Sequence, residues 1–206
     1  MPEIFKWAAE RGLPAEFLKK IKQILDDGSV IVFPTNTLYG LGASIYSEPG
    51  IQRLNELKNR PPGMPLSIMA TAAQIHKLCH VTDNAGYFMA SGDWRITAIF
   101  MARDGAPASL LHNGTIAVRL PCSELTASLV ECVGPITATS ANIHGTLTPS
   151  SIAGVIGQFG DRVPIYIDAG PLNGAPTTLI DYTGAGQRII REGAMSAAEA
   201  GKAHGR

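Results

Sequence analysis

The stretch Ser29-Val30-Ile31-Val32-Phe33-Pro34-Thr35-Asn36-Thr37-Leu38-Tyr39-Gly40-Leu41-Gly42 decides the fold. Its first half, SVIVFPT, is a short apolar and β-branched run, the pattern of a buried strand. Its second half sets two hydroxyls, an amide and two glycines directly behind that strand. In open α/β sheets, ligands bind at strand ends, and glycine lets a backbone approach a ligand closely. The same residues also describe an ordinary Gly-rich turn. They form neither a GxxxxGK[ST] phosphate loop nor a GxGxxG fingerprint.

Working outward, Pro14 to Asp27 reads as a helix with Phe17, Leu18, Ile21, Ile24 and Leu25 on one face, and Gly28 is placed to end it. Ile51, Leu54 and Leu57 predict a short helix ending before Pro61. Further helices are expected over Thr71–His80, Ser123–Cys132 and Ser150–Phe159. Strands are expected over Leu66–Ala70, Ile96–Ala102, Thr115–Leu120, Ile136–Thr139, Pro164–Asp168, Thr177–Asp181 and Arg188–Ile190. Strands that alternate with helices and then dominate the last third predict an α/β fold built on a mixed parallel and antiparallel, twisted sheet with flanking helices. The residues from Ala200 to Arg206 are small or charged and are expected to fray.

A chain of 206 residues, 45% hydrophobic and 17% charged, is expected to form one domain with a core of its own. Lys plus Arg and Asp plus Glu are each 17, so there is no basic excess of the kind that marks a nucleic-acid binder. Three cysteines, 79, 122 and 132, form no CxxC pair and leave one over, which fits a reducing compartment. No apolar run approaches the ~18 residues of a membrane span. A cytoplasmic location without membrane contact is therefore expected. His76 and His80 fall i,i+4 on a predicted helix, but no set of four ligands accompanies them, so no metal ligand is assigned.

Four further segments carry candidate chemistry. In Lys58-Asn59-Arg60-Pro61, two cations end a helix and suit phosphate or carboxylate; alone they also suit a helix C-terminus. In Gly114-Thr115-Ile116-Ala117-Val118-Arg119, a guanidinium stands in an apolar strand and must reach solvent or an anion. Thr115, Ala117 and Arg119 alternate onto one face. In Thr139-Ser140-Ala141-Asn142, a strand ends in small polar residues, and Ser150 or Ser151 then caps a helix or helps hold an anion. The fourth pairs Thr177-Thr178-Leu179-Ile180-Asp181 with Arg191-Glu192-Gly193. No nucleophilic serine or cysteine emerges.

Taken in order, PTNTLYGLG, KNRP with PLSI, GTIAVRLP, TSAN with HG and PS, and TTLID with REG resemble the YrdC family of threonylcarbamoyl-AMP synthases from about Gly28 to Gly193. The resemblance implies an open, strongly twisted sheet with a concave cleft. It also implies a reaction in which L-threonine and bicarbonate form a carbamate whose carboxylate attacks the α-phosphate of ATP, releasing pyrophosphate. The adenylate then serves partner proteins that modify adenosine in tRNA. By the family pattern Lys58 and Arg60 bind the ATP phosphates and act in catalysis. Thr115, Asn142, Ser150 and Arg191 contact the nucleotide, and Thr37, Arg119, Ser140 and Thr177 hold the threonine. Mg²⁺ is implied only through the phosphates.

Departures from the pattern fall at Asn36, Asn59, Met64 and Met69, and at Gly92-Asp93-Trp94-Arg95 where a Pro-Gly-Pro is usual. Met69, at a position commonly His near the threonine, bears on which amino acid is used. Two other readings stay open: a carbamoyl-adenylate enzyme acting on another amine, and a non-enzymatic RNA-binding module. Steep salt dependence of RNA binding would mark the latter.

Overall fold

A computed structural model describes residues 1–8 and 12–204, the last four by backbone alone. In chain order the elements begin β1 (Glu3–Lys6), α1 (Ala15–Asp26), β2 (Ile31–Pro34), β3 (Tyr39–Gly42), α2 (Glu48–Leu57) and β4 (Ser67–Met69). Then come α3 (Ala72–Leu78), β5 (Cys79–His80), α4 (Gly86–Ser91), β6 (Ile96–Ala102), β7 (Thr115–Arg119) and α5 (Glu124–Val133). The last are β8 (Ile136–Thr137), β9 (Thr139–Ser140), α6 (Ile152–Phe159), β10 (Ile165–Asp168), β11 (Thr178–Asp181), β12 (Arg188–Arg191) and α7 (Ala197–His204).

The strands form two sheets, mixed in direction and unclosed. One runs β1-β10-β2-β3-β9; the other runs β12-β11-β6-β7-β4-β8, with β5 beside β6. The expected strand over Ile136–Thr139 is where they meet. Ile136 and Thr137 pair with β4 in the second sheet, and Thr139 and Ser140 pair with β3 in the first. Ala138 alone separates the two pairings. Thr137 closes the junction, since its backbone N–H donates to Ala43 O (2.9 Å) and its hydroxyl accepts from Ala43 N–H (2.9 Å).

Strand β2 is buried on both faces, which is why its sequence reads as an unbroken apolar run. Ile31 and Phe33 pack with Phe17, Ile21 and Leu25 of α1 and with Leu129 and Val130 of α5, whereas Val30 and Val32 belong to the cluster containing Leu54 of α2. Helix α1 keeps the predicted face, ends at Asp26, and is followed by Gly28 at φ +77°.

Three expectations fail for identifiable reasons. Tyr39–Gly42 is a strand, not a loop, and its glycines serve packing: a Cβ on Gly40 or Gly42 would lie 3.1 or 2.9 Å from the Phe33 ring. The helix expected to reach His80 stops at Leu78, because Cys79 and His80 pair with β6, so His76 and His80 share no helix face. Of the tail from Ala200 to Arg206, expected to fray, Ala200 to His204 belong to α7, anchored by buried Met195 and Ala200; Gly205 and Arg206 lie outside the described residues. Among the described residues no helix is long and apolar enough to cross a membrane.

Candidate active site

A cavity of about 610 Å³ opens where the two sheets meet. The first sheet supplies Thr35, Thr37 and Tyr39; the second supplies Ser67, Thr97, Thr115, Ala117 and Arg119; the junction supplies Ala138, Thr139 and Ser140. Thr177, Leu179, Ile190 and Arg191 close a further side. Thr115, Ala117 and Arg119 line the cavity together, as strand alternation requires. Seven of the ten expected site residues meet here: Thr37, Arg60, Thr115, Arg119, Ser140, Thr177 and Arg191.

The other three lie outside the wall. Lys58 is 2% exposed, and its ammonium donates to the carbonyls of Ser140 and of Asn142 (2.7 Å) behind the cavity. Asn142 spends both amide protons on Ile143 O (2.9 Å) and Thr146 O (2.8 Å), and its Oδ1 accepts from the Ser140 hydroxyl. Both residues therefore shape the turn that presents Ser140. Ser150 is exposed, and Ser151 is the residue that caps α6, through Gly154 N–H (3.3 Å).

Arg119 dominates the electrostatics. It is 8% exposed, and neither Nε nor Nη2 has a hydrogen-bond partner among the described residues. Burial pushes its pKa down, yet a guanidinium stays charged in the working range. Arg60 donates through Nη1 to Thr139 Oγ1 (3.4 Å) and through Nη2 to Pro65 O, leaving Nε unpartnered. Arg191 donates to Thr177 O (3.0 Å). Three arginines thus enter a cavity whose described lining residues include no carboxylate, a receptor for anions.

The hydroxyls have assigned directions. Thr35 gives its proton to Leu38 O (2.7 Å), so in the 3.0 Å bond between Thr35 and Thr37 it is Thr37 that donates. Thr37 therefore presents lone pairs to the cavity, suited to an amine or amide N–H. Its backbone is fixed by Gly174, whose N–H donates to Thr37 O (2.8 Å) and whose absent Cβ would lie 2.6 Å from Thr37 Cα.

The departures from the family pattern now have local explanations. Asn36 donates through Nδ2 to Cys122 O (2.9 Å), a bond that a carboxylate could not make. Asn59 sits at φ +48°, a left-handed position that asparagine tolerates better than most residues. Met64 stands in a loop outside the cavity wall. Met69 pairs in register with Arg119 but is fully buried in the apolar cluster with Ile136 and Leu129, so it backs the site without lining it. Thr97, Ser67, His112 and Thr148 also line the cavity, and the sequence reading gave none of them a site role. Thr97 had a signal, one polar residue in the apolar run ITAIFMA, the same kind that singled out Arg119.

Comparison with known proteins places these features in context. The Sua5/YciO/YrdC family model, described as "Telomere recombination", matches residues 23–193. A Pyrococcus abyssi protein named threonylcarbamoyl-AMP synthase is 32% identical over 185 residues, covering 87% of this chain and 54% of that one. The structure of P. abyssi Sua5 complexed with L-threonine matches with a TM-score of 0.88 at 30% identity, over 98% of this chain and 61% of its own. This chain thus spans little more than half the length of that relative. Escherichia coli YciO matches with a TM-score of 0.85 at 25% identity, over 95% of this chain and 98% of its own.

Two predictions follow from the cations. Arg119→Met should leave the unfolding midpoint in urea unchanged or higher, because it removes an unpaired buried charge, while abolishing stabilisation by a carboxylate ligand; a large loss of stability without ligand would contradict this. Lys58 has a pKa lowered to about 8, first by desolvation and then by the Arg60 charge. The folded state therefore binds this proton less tightly than the unfolded chain. Its contribution is fully present above the ordinary value near 10.5 and is lost as pH falls through about 8. The stability of the wild type relative to Lys58→Met should rise between pH 8 and 10, read from denaturation curves; a flat difference would contradict the assignment.

Proposed function

The chain belongs to the Sua5/YciO/YrdC family, and from that premise we propose that it synthesises threonylcarbamoyl-AMP from L-threonine, bicarbonate and ATP. The observation that carries this reading is the cavity with three arginines and, among the described residues, no carboxylate, since ATP, the carbamate and the amino-acid carboxylate are all anions. Arg119, buried and unpartnered, takes the threonine carboxylate as a charge-assisted pair. Thr37 accepts from the substrate nitrogen, Thr177 and Ser140 complete the amino-acid side, and Arg60 and Arg191 neutralise the triphosphate, with Thr115 on the nucleotide.

In the reaction, the carbamate oxygen forms a bond to the α-phosphorus of ATP while the bond from that phosphorus to the bridging oxygen breaks, and pyrophosphate leaves. Such a displacement depends on positioning and on stabilising charge, and fixed arginines supply both. In this reaction the carbamate carbon is not attacked by any side chain. Lys58 and Asn142 act through the Ser140 turn. Mg²⁺ enters as MgATP. The lining hydroxyls fit an ion ligated by phosphate oxygens and water, and among the described residues no cluster of His, Cys, Asp or Glu could hold one. The product serves enzymes that transfer the threonylcarbamoyl group to tRNA, and the setting is the cytoplasm.

The test is pyrophosphate release by purified protein with MgATP. Release should require both L-threonine and bicarbonate, and Arg60→Ala should lower it roughly 100-fold or more, as loss of a charge-stabilising group does, with an unchanged circular dichroism spectrum. Release with bicarbonate and another amine would reassign the substrate, and release without bicarbonate would overturn the reaction.

A further inference from the structure

Thr97 and Thr177 lie on the cavity wall, 4% and 6% exposed, with their hydroxyl oxygens 2.6 Å apart. Each hydroxyl has one proton. The bond between them uses one, and neither oxygen has another hydrogen-bond partner among the described residues. The pair therefore turns one free donor and spare lone pairs toward the cavity. This is the opposite of Thr37, whose proton is already committed. Leaving a buried donor unmet is costly, so the pair favours a ligand group that both donates and accepts, as an alcohol does. Arg119 is its neighbour: Ala98 pairs with Val118 in the antiparallel ladder, and Thr97 and Arg119 are the next residues along it.

The pair is held by a device next to it in sequence. Arg95 grips the Asp93 carboxylate with two parallel bonds, Nε to Oδ1 (3.0 Å) and Nη2 to Oδ2 (2.8 Å). The Arg95 backbone N–H adds a third, to Oδ1 (3.0 Å), and Tyr87 Oη donates to Oδ2 (3.1 Å). Arg95 Nη1 reaches Glu199 of α7 (3.2 Å). The Arg95 carbonyl accepts from Thr178 N–H (2.8 Å), which ties the residue two before Thr97 to the residue one after Thr177. The clamp thus sets the relative height of the two strands that carry the hydroxyls.

We infer that Thr97, with Thr177, reads the side-chain hydroxyl of the amino-acid substrate, and that the Asp93–Arg95 pair is the positioning device that sets the two hydroxyls. The inference rests on the reaction proposed above. Its consequence is discrimination against L-valine, which has the shape of threonine but no hydroxyl. A site built to bond a hydroxyl rejects the analogue lacking it, because its own donor is then left unpaired.

The experiment measures kcat/KM for L-threonine and L-valine by pyrophosphate release in the wild type, Thr97→Val, Arg95→Gln and the double variant, together with KM for ATP. Thr97→Val is isosteric, so it preserves the wall. It should reduce the threonine-over-valine preference roughly 10- to 100-fold, with KM for ATP changed less than about twofold. Arg95→Gln should raise KM for threonine several-fold in the wild-type background and have little effect beside Thr97→Val, because residues acting through one contact are not additive. An unchanged preference in Thr97→Val, or additive effects in the double variant, would overturn the inference and leave the proposed reaction standing. A wild type whose release ignores threonine would overturn the reaction and this inference with it.

Discussion

A buried guanidinium must meet an anion or carry a cost of several kcal/mol, and among the described residues none is supplied to Arg119 Nε or Nη2. Its strand is flanked by β4 and β6, its register neighbour Met69 is apolar, and the described residues lining the cavity it enters include no carboxylate. The anion has to come from outside. The rest of the site is ordered around that requirement, with the Thr97–Thr177 hydroxyl pair beside Arg119 and two further, more exposed arginines on the wall.

Holding such a charge requires a rigid frame. The frame is the junction at Ala138, where consecutive residue pairs belong to different sheets. Lys58 fastens the turn beyond it by binding two backbone carbonyls, and Gly174 lets a connecting segment lie directly against Thr37. Two apolar clusters on opposite faces of β2 supply the stability against which the buried cations are set. This is the usual exchange of stability for function at an active site.

The sequence made much of this legible. The β-branched run at Val30–Phe33 announced a buried strand, and an arginine in an apolar strand announced a group that must reach either solvent or an anion. What it hid was long-range. The split of Ile136–Thr139 between two sheets depends on partners about 70 and 100 residues away, so local pattern reads it as one strand. The glycines of Tyr39–Gly42 look like loop residues, and only the Phe33 ring across the ladder explains them. Lys58 and Asn142 carry the residue types of ligand contacts, yet their hydrogen bonds are spent within the protein. Thr97 was visible as a polar residue in an apolar strand, but its partner lies 80 residues on.

The central claim is that Arg119 seats the amino-acid carboxylate. The most direct measurement compares thermal stabilisation of the wild-type protein by L-threonine and by L-threoninol, which keeps the amine and the hydroxyl but has no carboxylate. The account predicts a concentration-dependent rise in Tm with L-threonine and almost none with L-threoninol. Equal stabilisation by the two would place the carboxylate elsewhere and contradict the account.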